Sequence, residues 1–171
     1  MDTFTPEQRS RVMSRIRGKN TKPELIVRSL LHRAGYRFSL HRKDLPGKPD
    51  IVLRKYNTVV FVHGCFWHRH QNCKTASMPK SNVEYWQAKF ERNVSNDRKH
   101  IRELKKMGWN VIVVWECELK QPEKVLAKLE KSLTAAYAKL SPKVVVYPTT
   151  ESAPLPLAAE AQAEYKTKPR K

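Results

Sequence analysis

Cysteine is scarce in this chain: three residues in 171, Cys65, Cys73 and Cys117. So small and odd a number excludes the disulfide framework of a secreted domain. It suits a reducing compartment, where clustered thiols bind metal more often than they pair. Acidic residues are also few, 16 against 34 Lys+Arg, which leaves a net charge of +18. Such an excess bears on partners rather than fold, and the natural partner is a polyanion. Long apolar runs are missing as well. Nothing approaches the roughly 18 residues that span a bilayer, and Met-Asp-Thr-Phe-Thr-Pro at the N-terminus lacks the basic-then-apolar order of a secretory signal. No internal repeat is visible. The expectation is a cytoplasmic protein with no membrane association, whose length suits one domain with a real core.

Along the chain, residues 1–20 are polar and basic and read as an N-terminal arm, with Met13 among its few apolar positions. Thr21-Lys22-Pro23-Glu24 is a capping box with proline in the first turn. It opens a helix striped by Leu25, Val27, Leu30, Leu31 and Ala34 and closed by Gly35. Residues 36–42 alternate like a strand, Leu45-Pro46-Gly47-Lys48-Pro49 is a turn, and Ile51–Leu53 and Thr58–Val62 are strands, the second continuous enough for a sheet centre. Ser81 and Glu84 suggest a second capping box, before a long helix with Trp86, Phe90, Val94, Ile101 and Leu104 on one face. A strand from Trp109 to Trp115 and a helix over about 122–140 follow, and the Pro-, Ala- and Lys-containing stretch 141–171 reads as a disordered tail. The body is thus 21–140, a mixed α/β sheet of four or more strands with helices on both faces.

The segment Cys65-Phe66-Trp67-His68-Arg69-His70-Gln71-Asn72-Cys73 is the densest in chemistry. Three cysteines and one histidine complete a tetrahedral structural zinc site. Spacing alone does not choose between His68 and His70, and three inert core cysteines are the alternative. Cys73 argues against that alternative, because Gln71-Asn72-Cys73-Lys74 is too polar for a core. Asp50, delivered by a Pro-rich turn to the mouth of a strand, is placed as a Mg²⁺ carboxylate would be, though a lone turn aspartate proves little. His63 precedes the thiol segment and His68 lies within it, and an imidazole left free of metal there is suited to deprotonating water. Phe66 and Trp67, held between metal ligands, and Met13 on the arm are candidate wedges for insertion between base pairs. Lys74, Lys80, Lys89, Arg92, Arg98, Lys99, Arg102, Lys105 and Lys106 offer phosphate neutralisation, several of them simply forming a solvated helix face.

Leu-Pro-Gly-Lys-Pro-Asp (45–50), Val-His-Gly-Cys-Phe-Trp-His (62–68), Asn93-Val94 with Asp97-Arg98, and Gly-Trp-Asn-Val-Ile-Val-Val-Trp-Glu-Cys (108–117) resemble the bacterial very-short-patch repair endonucleases, the Vsr family. The resemblance spans about residues 8–120. It implies a restriction-endonuclease-like fold and an enzyme that nicks DNA 5′ of a thymine mispaired with guanine, the lesion left by deamination of 5-methylcytosine. By residue, it implies Asp50 and the main-chain oxygen of Val62 as Mg²⁺ ligands, His68 as general base, His63 as a second active-site imidazole and Glu24 as an acidic site residue. It makes Cys65, His70, Cys73 and Cys117 the zinc ligands, and Phe66, Trp67 and Met13 the intercalating side chains. Two positions depart from the family pattern: Val62 replaces a threonine, and the His70–Cys73 spacing is one residue longer.

The expected protein is therefore a Mg²⁺-dependent, zinc-stabilised DNA mismatch endonuclease of the bacterial cytoplasm and nucleoid. Its expected partners are double-stranded DNA with a T:G mismatch and mismatch-repair proteins, and a monomer suffices for an asymmetric lesion. The alternatives are a zinc-stabilised DNA-binding module without catalysis and a restriction-type nuclease that cuts both strands.

Overall fold

The computed structural model describes residues 18–140 together with Thr5, Glu7, Gln8 and Arg11. Met13, most of the basic arm and the tail from residue 141 lie outside the described residues. Seven elements make up the body: α1 (Lys22–Arg33), β1 (Ser39–Leu40), β2 (Ile51–Leu53), β3 (Thr58–His63), α2 (Val83–Lys106), β4 (Asn110–Trp115) and α3 (Pro122–Leu140). Short 3₁₀ turns at Arg54–Tyr56 and Glu116–Lys120 follow β2 and β4.

The four strands form one mixed sheet in the order β1-β2-β3-β4. β1 and β2 pair antiparallel, as do β2 and β3, whereas β3 and β4 run parallel in register from Thr58↔Asn110 to His63↔Trp115. A parallel pair needs a crossover, and α2 supplies it. β3 is buried along its whole length, so its unbroken apolar run reflects cover on both faces. On one face Val60, Val62, Ile112 and Val114 meet Val27 and Leu31 of α1 and Leu129 and Leu133 of α3. On the other, Val59, Phe61, Val111 and Val113 meet Ile101 and Leu104 of α2.

The predicted capping box of α1 is present: Glu24 N donates to Thr21 Oγ1 at 3.4 Å and Thr21 N to Glu24 Oε1 at 3.3 Å. Gly35, at φ 85°, ends that helix in the left-handed turn that glycine adopts without strain. Leu25, expected in its apolar stripe, instead faces solvent. Two further expectations are corrected. The strand expected over 36–42 contracts to Ser39–Leu40, because Tyr36 and Phe38 pack against the core instead of extending the ladder. The Ser81–Glu84 box does not open α2. Asn82, at φ 51°, is the N-cap without a side-chain hydrogen bond, and asparagine tolerates that left-handed backbone better than most residues.

The turn before Asp50 is set by close approach. Gly47 has φ +70°, and a Cβ there would lie 2.8 Å from His100 Nδ1. We expect Gly47→Ala to cost about 1–3 kcal/mol through backbone strain and overpacking. A fall in the urea midpoint with unchanged slope would show it, and an unchanged midpoint would contradict the close contact.

Candidate active site and metal centre

The C-terminal ends of β3 and β4, the start of β2 and the inward face of α2 enclose a cleft of about 620 Å³ lined by Glu24, His41, Asp50, His63, His68 and Asp97 among others. Lys19, Lys48 and Lys89 also line it, giving the cleft a cationic rim around its carboxylates. Asp50 enters from the start of β2, and its Oδ2 accepts the Val62 N–H at 2.8 Å. Burial raises the Asp50 carboxyl to about 6, against the lowering effect of that hydrogen bond, and the nearby Glu24 raises it further. Its Oδ1 faces His41 Nδ1 at 3.8 Å, beyond hydrogen-bond distance.

His63 ends β3 and is 6% exposed. Its ring stacks on His68 with centroids 3.9 Å apart and planes 9° from parallel. Burial, then the neighbouring His68, depresses the His63 imidazole to about 4, so that it is neutral at ordinary pH. His68 Nδ1 lies 2.6 Å from Asp97 Oδ2. A carboxylate only accepts, so Nδ1 carries a proton, and in the neutral ring Nε2 holds the lone pair. That is the tautomer a general base requires. One turn earlier on α2, Asn93 Nδ2 donates to the Trp67 carbonyl at 2.9 Å. A single helix face therefore grips the backbone of Trp67 and the ring of His68.

Glu24 reaches the cleft already saturated: Asn20 N, Thr21 N, Thr21 Oγ1 and Arg28 NH2 all donate to it. It is 3% exposed and thus serves the cap as well as the cleft. His41 lies between Glu24 and Asp50, and the three offer donor atoms within 4.8 Å of one another. Burial lowers the His41 imidazole below its usual value, only partly offset by Glu24.

Behind this cleft, Cys65 Sγ, His70 Nδ1, Cys73 Sγ and Cys117 Sγ lie within 4.8 Å of one another. His70 Nδ1 is 3.7 Å from Cys65 Sγ and 3.3 Å from Cys117 Sγ. Tetrahedral zinc with ordinary bond lengths separates its S and N donors by about 3.6 Å, so this donor set fits. Left-handed backbone at Arg69 and Asn72 (φ 54° and 56°) coils the loop back to form the cluster. Hydrogen bonds from Thr75 lower the Cys73 thiol to about 6, whereas burial and the neighbouring thiols push Cys117 up to about 12. Thiols that repel one another's ionised forms in this way are relieved by a bound cation. The geometry selects His70 from the two histidines that spacing left open, and His68 belongs to the cleft.

Phe66 folds onto Trp86 and Phe90, with centroids 5.5 and 5.0 Å away, and stands edge-on to Trp67 at 5.1 Å. The two candidate wedges thus rest on an aromatic platform at the start of α2, both partly exposed. Sequence reasoning gave no role to His41, Arg28, Asn93 or Asp97. Asn93 and Asp97, with Lys89 one turn before them, form a polar stripe on α2 at helical spacing, a signal that was readable. His41 and Arg28 carried no such signal.

A half-buried carboxylate sharing a lysine-rimmed cleft with a histidine–carboxylate pair is the donor set of a hydrolytic centre for phosphate esters. The profile of the family described as DNA mismatch endonuclease Vsr matches residues 1–75. The type II nicking enzyme V.XorIIP of Xanthomonas oryzae pv. oryzae is 50% identical over 77% of this chain and 96% of its own. The type II nicking enzyme V.NmeAIP of Neisseria meningitidis is 52% identical over 70% of this chain and 84% of its own. The DNA mismatch endonuclease Vsr of Escherichia coli is 40% identical over 72% and 79%. The chain belongs to the Vsr family of DNA endonucleases.

Asp50 also carries a pH signature. Its folded value, about 6, lies above the ordinary 3.8. Folding therefore favours the protonated form, and that stability is full below about pH 4 and lost as pH rises through 6. Asp50→Asn keeps an acceptor for Val62 N–H and should be more stable than the parent by about 1–3 kcal/mol above pH 7, with the gap closing toward pH 4. Thermal melts across that range without divalent cation check this, and a pH-independent difference would contradict it.

Proposed function

We propose that this protein nicks DNA on the 5′ side of thymine in T:G mismatches, using Mg²⁺ for catalysis and zinc for structure. The observation that carries the reading is the His68–Asp97 pair, 2.6 Å apart and stacked on neutral His63, facing the same cleft as Asp50. The fold is of the restriction-endonuclease-like kind, the enzyme acts as a monomer in the bacterial cytoplasm, and its substrate is duplex DNA.

Asp50 and the Val62 main-chain oxygen would hold Mg²⁺, and the half-buried, partly unpaired carboxylate fits that task. When bound, Mg²⁺ supplies charge neutralisation at the phosphate and at the leaving 3′ oxygen. His68 Nε2 accepts the proton of the attacking water, while Asp97 holds the tautomer and favours the imidazolium that results. His63 stays neutral and packs one face of the His68 ring, so the base has little freedom to swing away. Lys19, Lys48 and Lys89 draw the DNA backbone to the cleft. Phe66 and Trp67, with Met13 from the arm, wedge the mismatch open, which costs less at a T:G pair than at a matched one.

The direct test is a strand-resolved assay with Mg²⁺ on an end-labelled duplex carrying T:G within CTAGG and on its T:A control. One nick 5′ of the thymine, absent from the control, is expected. Mismatch binding without cleavage would instead support a binding module, and paired breaks in both duplexes a restriction-type nuclease. His68→Ala and Asp97→Asn should lose roughly 10²–10⁴-fold in nicking rate while retaining mismatch affinity. Equal loss of binding would remove the assigned roles.

For the metal centre, elemental analysis should find about one zinc per chain. Stripping it with a chelator, or replacing Cys117 by Ser, should lower the melting temperature, because structural zinc contributes folding energy directly. A zinc-free protein with an unchanged melt would exclude the site.

A further inference from the structure

His41 is the residue of the cleft that neither the sequence motifs nor the assigned chemistry explains. It follows β1 with a backbone φ of 46°. A non-glycine residue there is held at a cost, and such strain persists where the surroundings over-determine it. A second cost sits beside it: Arg28 Nε is the one buried side-chain polar atom without a hydrogen-bond partner among the described residues. Two local penalties at one place indicate that the arrangement is held for a reason other than stability.

The hydrogen bonds give the reason. Arg28 NH1 donates to Asn20 Oδ1 at 2.7 Å and NH2 to Glu24 Oε2 at 2.6 Å. NH2 also lies 2.9 Å from His41 Nε2. A guanidinium cannot accept, so Nε2 must, and the ring is neutral with its proton on Nδ1. That Nδ1 is the atom 3.8 Å from Asp50 Oδ1. Asp50 Oδ2 is meanwhile held by the Val62 N–H. The carboxylate thus has a donor from β3 at one oxygen and a donor after β1 near the other.

We propose that His41 is a positioning residue for Asp50: Arg28 fixes its tautomer, and its Nδ1–H, facing Oδ1 across 3.8 Å, orients electrostatically the carboxylate that Val62 N–H holds from the opposite side. The proposal rests on Asp50 being the metal-binding carboxylate of the nicking site. Groups that orient a ligating carboxylate cost roughly 10–100-fold in metal affinity or activity when removed.

The test uses the full chain and three substitutions. His41→Ala removes the donor. His41→Asn places an amide N–H near the position of Nδ1 and tolerates left-handed backbone. His41→Gly removes the donor and relieves the backbone strain. Mn²⁺ alone, titrated without DNA and followed by water-proton relaxation, should bind about 10–100-fold more weakly to the Ala and Gly variants, with most of the loss recovered in Asn. The Gly variant should melt above the Ala variant. Long-range ¹H–¹⁵N spectra should report His41 as the Nδ1–H tautomer, and Arg28→Met should abolish that preference. Unchanged Mn²⁺ affinity in His41→Ala, equal losses in Ala and Asn, or an Nε2–H ring in the parent would each overturn the proposal. None of these readouts requires cleavage, so failure of the nicking activity and failure of the His41 proposal are separate results.

Discussion

The parallel pairing of β3 with β4 is the constraint on which the rest of the molecule depends. Its register ends with His63 opposite Trp115. Cys65 therefore leaves β3 close to where Cys117 leaves β4, and a metal-ligand cluster can close across the two strand ends. Trp115 takes part on both sides: its indole stacks on His70 at 4.2 Å and meets His63 edge-on at 5.3 Å. A slip of one residue would send the alternating side chains to opposite faces and separate the two sites. Burial of β3 on both faces makes such a slip expensive, because each packed layer is fitted to the particular side chains that face it.

Electrostatics in the cleft is arranged by burial first and by pairing second. Desolvation alone would leave Asp50 and His63 uncharged over much of the ordinary pH range, and both shift in that direction. Glu24 instead meets four donors, three from Asn20 and Thr21 just before α1 and one from Arg28. A carboxylate so satisfied contributes a fixed negative potential to the cleft rather than a reactive oxygen. The cationic rim of Lys19, Lys48 and Lys89 then serves an anionic substrate without neutralising the interior by direct pairing.

Precision at the reacting end comes from α2. Asn93 and Asp97 lie four residues apart on one helix face, and they hold consecutive residues of the loop after β3. The same helix face, nearer its start, supplies Trp86 and Phe90 as the platform for Phe66. A rigid 24-residue helix is thus the common reference for the base and for the aromatic side chains.

Much of this was legible in the chain itself. The Thr21–Glu24 box, the buried run of β3, the long amphipathic helix and the Cys/His segment are local patterns, and local patterns are what a sequence records. Asp50, His63 and His68 were recognisable from motif, and the scarcity of cysteine made its three positions stand out. The short β1 and the Asn82 cap of α2 were not legible, because core packing of Tyr36 and Phe38 and a left-handed turn overrode the strand pattern and the Ser81–Glu84 spacing. Asp97 and His41 belong to a third kind. Asp97 lies 29 residues from the histidine it orients, and His41 meets Arg28 across 13 residues and Asp50 across the sheet. The sequence by itself determined most of the elements and marked residues able to carry chemistry, since propensity, capping and side-chain type act locally. Only the tertiary structure decided which histidine receives a carboxylate and which faces Asp50, because those choices rest on strand register and helix docking between distant segments.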